Sequence, residues 1–151
     1  MKDLVVLENS ANFSPADIDE IMVSIGWASK QHARKDTEWA HYDMFRTYDY
    51  VAIAKLGNKT IGMLEAFCDR DNFATSYLYS IMVHKDYQRK GVGTALMQAF
   101  NKKFKHTTTW VVTPIGKGKE AIAFLQKSGF KDNSANFAVC SRMRDRPLNV
   151  S

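Results

Sequence analysis

Several features are scarce in this sequence, and each absence excludes a class of protein. Only two of its 151 residues are cysteines, Cys68 and Cys140, which is too few for a disulfide framework, and they form no C-x-x-C pair. No apolar run approaches the length that crosses a membrane. The start of the chain, Met1–Leu4, lacks the layout of a signal peptide. We therefore expect a cytoplasmic protein with no membrane partner.

Metal-binding and nucleic-acid-binding patterns are missing as well. The four histidines are scattered at positions 32, 41, 84 and 106, without the spacing that a metal site requires. The net charge of +5 is modest, and the basic residues form no long block. We expect neither a metal nor a nucleic-acid partner. A basic nucleic-acid-binding domain is the weaker alternative, and salt-dependent binding would be its signature.

The most informative stretch is V-H-K-D-Y-Q-R-K-G-V-G-T, residues 83–94. The apolar and aromatic run before it, residues 77–83, predicts a buried strand, and the periodic apolar residues after it predict a helix. Between the two elements, Gly91 and Gly93 permit a tight turn and a close approach of backbone N–H groups to a ligand. The first N–H groups of a helix lack intrahelical acceptors, so this turn predicts an anion site, and a diphosphate fits best.

Two familiar glycine loops fail here, because position 96 is Leu96 rather than a small residue and no G-K-[ST] is present. The remaining pattern resembles the acetyl-CoA loop of the GNAT family of N-acetyltransferases, Q/R-x-x-G-x-G/A, through Gln88, Gly91 and Gly93. A later stretch at residues 121–130, A-I-A-F-L-Q-K-S-G-F, is similar to that family's A-x-x-F-Y-x-K-x-G-F motif. An ordinary strand–helix turn would explain the loop alone, but the two motifs together indicate the family.

The resemblance implies an α/β fold with a central mixed, mostly antiparallel sheet, helices on both faces and strands that splay at the cofactor site. It is specific over residues 74–131, and we expect one acetyltransferase domain over residues 1–151. The sequence itself predicts the order β, α, α, β, β, β, α, β, α, β. The strands are predicted at Lys2–Glu8, Tyr50–Leu56, Lys59–Cys68, Phe73–Val83, Thr107–Thr113 and Phe137–Met143, and helices are predicted from Pro15, near Asp36, after the glycine loop and around Ala121–Ser128.

The resemblance also implies an enzyme that moves an acetyl group from acetyl-CoA to an amine by direct attack in a ternary complex. Acetyl-CoA is then a co-substrate, the acceptor is a small-molecule amine or an exposed amino group, and a homodimer is left open. One N–H group among those of Ile81, Met82 and Val83, with Met82 as the first choice, is expected to point at the thioester oxygen. By resemblance, the residues that bind acetyl-CoA are Ile81, Met82, Val83, Gln88, Arg89, Lys90, Gly91, Val92, Gly93, Thr94, Phe124 and Lys127.

The groups that remove the amine's proton are less directly implied. Several family members carry a glutamate or histidines where this sequence has Tyr77 and Tyr79. A tyrosine with an ordinary pKa of about 10 is a poor base at neutral pH, so either residue would instead orient a water molecule or the acceptor. Glu65, on the neighbouring predicted strand, is the best carboxylate for taking the proton or binding the ammonium form. The alternative for Glu65 is a solvated strand residue.

Leu125 is the clearest departure from the family pattern, because family members usually carry there the tyrosine that protonates the leaving thiolate. The thiolate of a thiol with a pKa of about 8.5 leaves unassisted or takes a proton from water, so the leucine does not exclude catalysis. It keeps open a non-catalytic acyl-CoA-binding sensor or interaction domain.

The acceptor site is expected beside the segment that follows the first helix, since this segment usually walls the acceptor site in the family. Trp27 and Trp39 are therefore candidate acceptor contacts, together with His41 and Tyr42. Aromatic packing of a helix on the sheet is the alternative for each of them.

Overall fold

One mixed sheet organises the first of the two compact units into which the chain divides, Met1–Val112 and Thr113–Ser151. The computed structural model describes residues 1–29, 47–69, 74–113 and 119–141. The elements of the first unit are β1 (Leu4–Glu8), α1 (Pro15–Ser24), β2 (Tyr50–Leu56), β3 (Lys59–Cys68), β4 (Thr75–Val83), a 3₁₀ turn (Lys85–Tyr87), α2 (Val92–Lys103) and β5 (Thr108–Val111).

The five strands lie in sequence order, with β1 to β4 antiparallel and β5 joined to β4 in parallel. The β2–β3 hairpin closes at Gly57, whose φ of +58° is a conformation that glycine adopts without strain. The bounds of β2 and β3 are those predicted from their apolar runs, and the mixed, mostly antiparallel α/β class is confirmed. β4 and β5 are each shorter than predicted.

Helix α1 covers one face of the sheet. Ile18 and Ile21 are fully buried and pack with side chains from three strands, which include Ile53, Met63 and Met82. Alternation along β3 places Glu65 on this same face, two residues after Met63. We call this surface the α1 face.

Helix α2 covers the opposite face and approaches the sheet closely. A Cβ atom on Gly62 would lie 3.1 Å from both the Met82 carbonyl oxygen and Val92 Cγ1, and 3.2 Å from Leu96 Cδ1. A side chain at position 62 would therefore press on the β4 backbone and on the first turns of α2. Farther along the helix, the ring of Tyr50 packs edge-on against two phenylalanines of α2 and its C-terminal end, Phe100 and Phe104.

Sequence signals set both ends of α1. Ser14 occupies the N-cap and Pro15 the first helical position, as predicted, although the Ser14 side chain makes no capping hydrogen bond. Gly26 takes a left-handed conformation with φ of +79°, and the Trp27 N–H donates to the Met22 carbonyl at 2.9 Å. This is the Schellman arrangement in which a glycine ends a helix.

The second unit contains helix α3 (Lys119–Lys127), which ends in the same way. Gly129 has a φ of +97°, its N–H donates to the Gln126 carbonyl, and the Phe130 N–H donates to the Leu125 carbonyl at 3.0 Å. The predicted left-handed glycine is confirmed. Leu125 is buried, Phe124 is half-buried and Lys127 is exposed.

Two predictions for other segments have different outcomes. The strand predicted at Phe137–Met143 is wrong for its described part, since residues 137–141 form no strand. Phe137 and Val139 are 55% and 71% exposed, so the alternation of apolar side chains there does not come from burying one face of a strand. The helix predicted near Asp36 lies outside the described residues, apart from its last positions.

Candidate active site

The loop between β4 and α2 passes twice through left-handed backbone conformations. Arg89 has a φ of +57° and Gly91 a φ of +87°. Gly91 is the N-cap of α2, and the first hydrogen bond within the helix runs from the Ala95 N–H to the Gly91 carbonyl at 2.9 Å. The N–H groups of residues 92–94 therefore have no acceptor inside the helix. These groups and the positive end of the helix dipole suit an anion, as the glycine pattern predicted.

Polar and basic side chains surround this turn. Arg89 and Lys90 are exposed beside the N-terminus of α2. The side-chain amide of Gln88 donates to the Val83 carbonyl at 3.1 Å, which ties the loop back to the last residue of β4. The loop therefore offers positive charge to solvent while its backbone is held against the strand.

Helix α1 holds the beginning of the loop. The buried ring of His84 accepts a hydrogen bond on Nδ1 from the Asp86 N–H at 3.2 Å, and its Nε2 lies 3.3 Å from Glu20 Oε1. Since Nδ1 accepts, the proton sits on Nε2 and is directed at the carboxylate. The Lys85 N–H also donates to Ser24 Oγ at 3.1 Å. Two contacts thus fix the loop to the C-terminal half of α1.

β4 loses its partner on the β5 side halfway along its length. The parallel ladder runs from the pair Thr75–Thr108 to the pair Leu78–Val111. Within the described part of the chain, no strand pairs with residues 79–83 on that side. The pairing of the two strands ends there, and β4 presents a backbone edge to which an extended ligand can add. The predicted splaying of the strands stays a prediction.

The ladder between β3 and β4 decides which backbone groups face this open edge. The His84 N–H donates to the Ile61 carbonyl at 2.9 Å, which makes Gly62 and Val83 a non-hydrogen-bonded pair. Pairs alternate along an antiparallel ladder, so the next pair exchanges both of its backbone hydrogen bonds.

Met82 belongs to that next pair, opposite Met63, and its N–H and C=O groups point towards β3. The prediction that the Met82 N–H points at a thioester is therefore wrong, because the sheet already uses that donor. The N–H groups that face the open edge are those of Ile81 and Val83.

Glu65 is a buried carboxylate on the α1 face. Its side chain is only 7% exposed, and Ser80 Oγ donates to its Oε2 at 2.6 Å across the β3–β4 ladder. The alternative of a solvated strand residue is therefore wrong. A short hydrogen bond from a hydroxyl orients the carboxylate beside the strand whose other edge is open.

A β-bulge lies next to this carboxylate. Glu65 pairs with Ser80, but the following residue, Ala66, pairs with Leu78, so Tyr79 is an extra residue in β4. In an unbroken ladder Tyr79 would stand opposite Ala66 and point to the α2 side of the sheet.

The bulge brings the predicted tyrosines to the carboxylate's face. Tyr77 pairs with Phe67, which shares the α1 face with Glu65. The ring of Tyr79 lies 5.7 Å from that of Phe67, between centroids, and therefore stands on the same face. The structure thus brings together Glu65, Tyr77 and Tyr79, the three residues proposed from the sequence for the proton chemistry.

Tyr48 is a residue of this site that the sequence reasoning placed in a helix and gave no role. Its ring lies 5.0 Å from Phe67 and 5.2 Å from Tyr79, between centroids. Burial raises the pKa of the Tyr48 hydroxyl above its usual value, and the charge of Glu65 and a hydrogen bond with Tyr79 add to the effect. The hydroxyl is therefore protonated at neutral pH and serves as a hydrogen-bond donor. No local pattern marks it, because its partners lie on β3 and β4.

The other residues that the sequence predicted for the site follow α1, belong to the second unit or lie outside the described residues. Trp27 is 56% exposed just beyond the end of α1 that contacts Lys85, and its role toward the acceptor stays a prediction. Trp39, His41 and Tyr42 lie outside the described residues. Phe124 and Lys127 belong to the second unit, so their role toward the cofactor stays a prediction.

The described ranges contain neither a cluster of metal ligands nor a membrane-spanning helix. No three of their histidine, cysteine, aspartate and glutamate side chains come together as a metal site would require. Of the helices that the structure describes, none combines the length and apolar character needed to span a bilayer.

Known proteins that resemble this chain include acetyltransferases. The uncharacterized N-acetyltransferase ycf52 of Porphyra purpurea is 22% identical over 130 residues, which are 86% of this chain and 71% of that protein. A GNAT-family acetyltransferase of Streptococcus pneumoniae has a TM-score of 0.68 at 18% identity, over 95% of this chain and 99% of that one. An aminoglycoside acetyltransferase from an uncultured soil metagenomic sample, solved with sisomicin, has a TM-score of 0.68 at 19% identity, over 97% and 98%. At sequence identities this low, the similarity to these two structures shows the fold alone.

The family relationship rests on the sequence match. The family described as the acetyltransferase (GNAT) domain matches residues 47–132, more than half of the chain. This span contains β2 to β5, the glycine loop and helix α3. The predicted family and enzyme class are confirmed: the chain belongs to the GNAT acetyltransferases and is an acetyl-CoA-dependent acyltransferase.

Proposed function

We propose that this enzyme transfers the acetyl group of acetyl-CoA to the nitrogen of a small-molecule amine or an exposed amino group, by direct attack in a ternary complex. The observation that carries the proposal is the position of Glu65. This buried carboxylate lies opposite Ser80, where the strand β4 has just lost its partner β5. A proton acceptor and an open backbone edge therefore lie on one short stretch of the sheet.

The residues along β4 and the loop suit the shape of coenzyme A. The N–H groups of residues 92–94, with Arg89 and Lys90, would hold the diphosphate. The backbone groups of Ile81 and Val83 would pair with the extended arm, and one of their N–H groups would donate to the thioester oxygen. When bound, acetyl-CoA supplies the activated acetyl group and departs as the free thiol.

Glu65 would act on the acceptor. It receives the substrate as an ammonium ion and takes one proton, which leaves a neutral amine. The nitrogen then forms a bond to the thioester carbon while the carbon–sulfur bond breaks. The amide nitrogen gives up its second proton, and the thiolate takes one, so the products are an N-acetyl amide and a thiol. Tyr77 and Tyr79 would orient the amine or a water molecule on the same face.

The thiolate's proton needs no dedicated acid in this scheme. Leu125 occupies the position of the family's tyrosine and carries no proton to donate. Water or the Tyr79 hydroxyl would supply it, because the thiolate of a thiol with a pKa of about 8.5 is a moderately good leaving group. The following points stay predictions: cofactor contacts by Phe124 and Lys127, acceptor contacts by Trp27 and Trp39, a single domain, a homodimer and a cytoplasmic location.

The test combines binding and turnover. Calorimetry with acetyl-CoA measures the affinity of the loop, and a thiol-detecting assay with a panel of amines and peptides measures transfer. We expect saturable binding and thiol release that requires an acceptor, with an N-acetylated product in the mass spectrum. Binding without acceptor-dependent release would instead support a non-catalytic sensor. No binding at all would contradict the assignment of the loop.

A further inference from the structure

We propose, on the basis of the proposed function, that the acceptor is a primary amine carried on an apolar, planar body without an anionic group. The feature that points to this class is a row of aromatic side chains across three strands, Phe67 on β3, Tyr77 on β4 and Trp110 on β5, which we call the aromatic row. In the proposal the planar body lies on the aromatic row and the amine reaches Glu65.

Strand register places the three rings side by side on one face. Phe67 pairs with Tyr77 in the antiparallel ladder, and Tyr77 pairs with Trp110 in the parallel one. Paired residues point to the same side of a sheet, so all three project from the α1 face. Tyr77 and Trp110 are 36% and 38% exposed, which leaves part of each ring open to a ligand.

The aromatic row lies beside the predicted reaction centre. Glu65 is two residues from Phe67 on the same face of β3. The pair Tyr77–Trp110 comes one residue before Leu78–Val111, the last pair before β4 and β5 part. The rings of Tyr48 and Tyr79 contact each other and Phe67, and so extend the apolar surface towards the carboxylate.

The aromatic row and the cofactor loop differ in the charged residues that surround them. Beyond Lys59, the only charged residue on β3, β4 or β5 is Glu65. The positive side chains of the site, Arg89 and Lys90, follow the far end of β4. The aromatic row therefore suits a cationic ligand with a flat apolar body, while the loop suits the polyanionic coenzyme.

The same arrangement argues against acceptors with a carboxylate or phosphate next to the amine. Such a group would lie close to Glu65 with no cation on these strands to receive it, and like charges at close range are strongly unfavourable. Aromatic faces attract ammonium groups and stack on planar bodies, which favours an arylalkylamine over a short alkylamine. A polyamine would bring several charges to strands that carry one carboxylate.

Matched acceptors test the proposal on the unmodified enzyme. Steady-state thiol release would be measured with tryptamine, tryptophan, ethylamine, spermidine and a lysine-containing peptide. We expect kcat/KM for tryptamine to exceed that for tryptophan by about 100-fold or more, since the two differ only in the carboxylate. It should exceed that for ethylamine by about tenfold or more. A preference for tryptophan, the polyamine or the peptide would overturn the inference and leave the proposed function intact.

A variant series tests the row itself. Trp110→Ala should raise KM for tryptamine about tenfold with little change for ethylamine, and Trp110→Phe should restore most of the loss. Val5→Ala, at the opposite edge of the sheet, is the control for losing an exposed apolar side chain. Equal losses for both amines would show a structural role for Trp110 and overturn the inference. If no amine supports thiol release although acetyl-CoA binds, the proposed function fails and the inference fails with it.

Discussion

The two halves of the site are built in different ways. The half assigned to the cofactor uses backbone groups over one continuous stretch, residues 81–94, and two left-handed residues shape its turn. The half assigned to the acceptor uses side chains of residues far apart in sequence, among them Tyr48, Glu65 and Trp110. A backbone site is specified by local glycines and helix boundaries, whereas a side-chain site depends on strand register. A substitution in one half should therefore change either the affinity for acetyl-CoA or the use of the acceptor, and leave the other property largely unchanged.

The largest expected effect is on the cofactor half. Gly93→Asp places a carboxylate on the first turn of α2, where the diphosphate is expected, and should weaken acetyl-CoA binding about 100-fold or more. The fold should survive, because an acidic residue is favourable near a helix N-terminus. Calorimetry on the folded variant measures the change.

The control is Gln98→Asp, which adds the same charge at an exposed position of the same helix. It should bind acetyl-CoA as the parent does. If Gly93→Asp also binds normally, the loop does not hold the diphosphate.

The acceptor half should respond to Glu65→Gln. Loss of the carboxylate should lower kcat/KM about 100-fold or more, the range of general base catalysis, without changing the affinity for acetyl-CoA. Ser80→Ala keeps the carboxylate but removes its 2.6 Å hydrogen bond, and should cost less activity. Thiol release across pH, with thermal unfolding to correct for stability, measures both. Equal activity at every pH would transfer the base role to water or to Tyr77 and Tyr79.

Leu125 tests whether the second unit contributes chemistry or only stability. Leu125→Ala should lower the free energy of unfolding by about 2–5 kcal/mol, because the side chain is buried, yet leave most of the rate per folded molecule. Leu125→Tyr should raise the rate where thiol release is limiting, if the larger ring is accommodated. Gln126→Ala, at an exposed neighbour, is the control.

Steady-state thiol release, corrected for the folded fraction measured in urea, decides the role of Leu125. A folded Leu125→Ala enzyme with almost no activity would show that the leucine shapes the reacting geometry.

The smallest effect is expected at Gly62, which lies beneath the cofactor half. Gly62→Ala puts a methyl group 3.1 Å from both Val92 Cγ1 and the Met82 carbonyl oxygen, so these neighbours must give way slightly, and we expect a cost of about 1–3 kcal/mol in stability. Since Val92 begins the helix that carries the free N–H groups, acetyl-CoA affinity should also fall, but less than in Gly93→Asp. Urea unfolding and calorimetry measure the two effects. Unchanged stability and affinity would mean that the close approach does not position the loop.

The sequence predicted well the structural features that depend on residues close together along the chain. The apolar runs gave the bounds of β2 and β3, and the glycines after α1 and α3 take the left-handed positions that end those helices. The prediction of an anion site at Gly91 and Gly93 comes from the same kind of local pattern and stays a prediction. Family resemblance added the identity of the ligand.

What escaped prediction depends on pairing between strands. The wrong role for Met82 arose because the direction of its N–H is decided by its partner, Met63. The common face of Glu65 and Tyr79 depends on one extra residue in β4, and no single-strand pattern reveals a bulge. Tyr48 and Trp110 become neighbours of the site only once the sheet is assembled.

The bulge at Tyr79 has a consequence for engineering the enzyme. Residues 75–78 and 80–83 of β4 alternate in opposite phase, so the strand consists of two segments that can be altered independently. Randomising positions 67, 77 and 110 would sample new acceptor surfaces without changing the orientation of the backbone donors at Ile81 and Val83. Deleting Tyr79 would restore a single phase with Tyr77 still opposite Phe67 on the α1 face, and would remove only the Tyr79 ring from the acceptor surface. One inserted residue thus makes substrate choice and coenzyme binding separable traits for directed evolution.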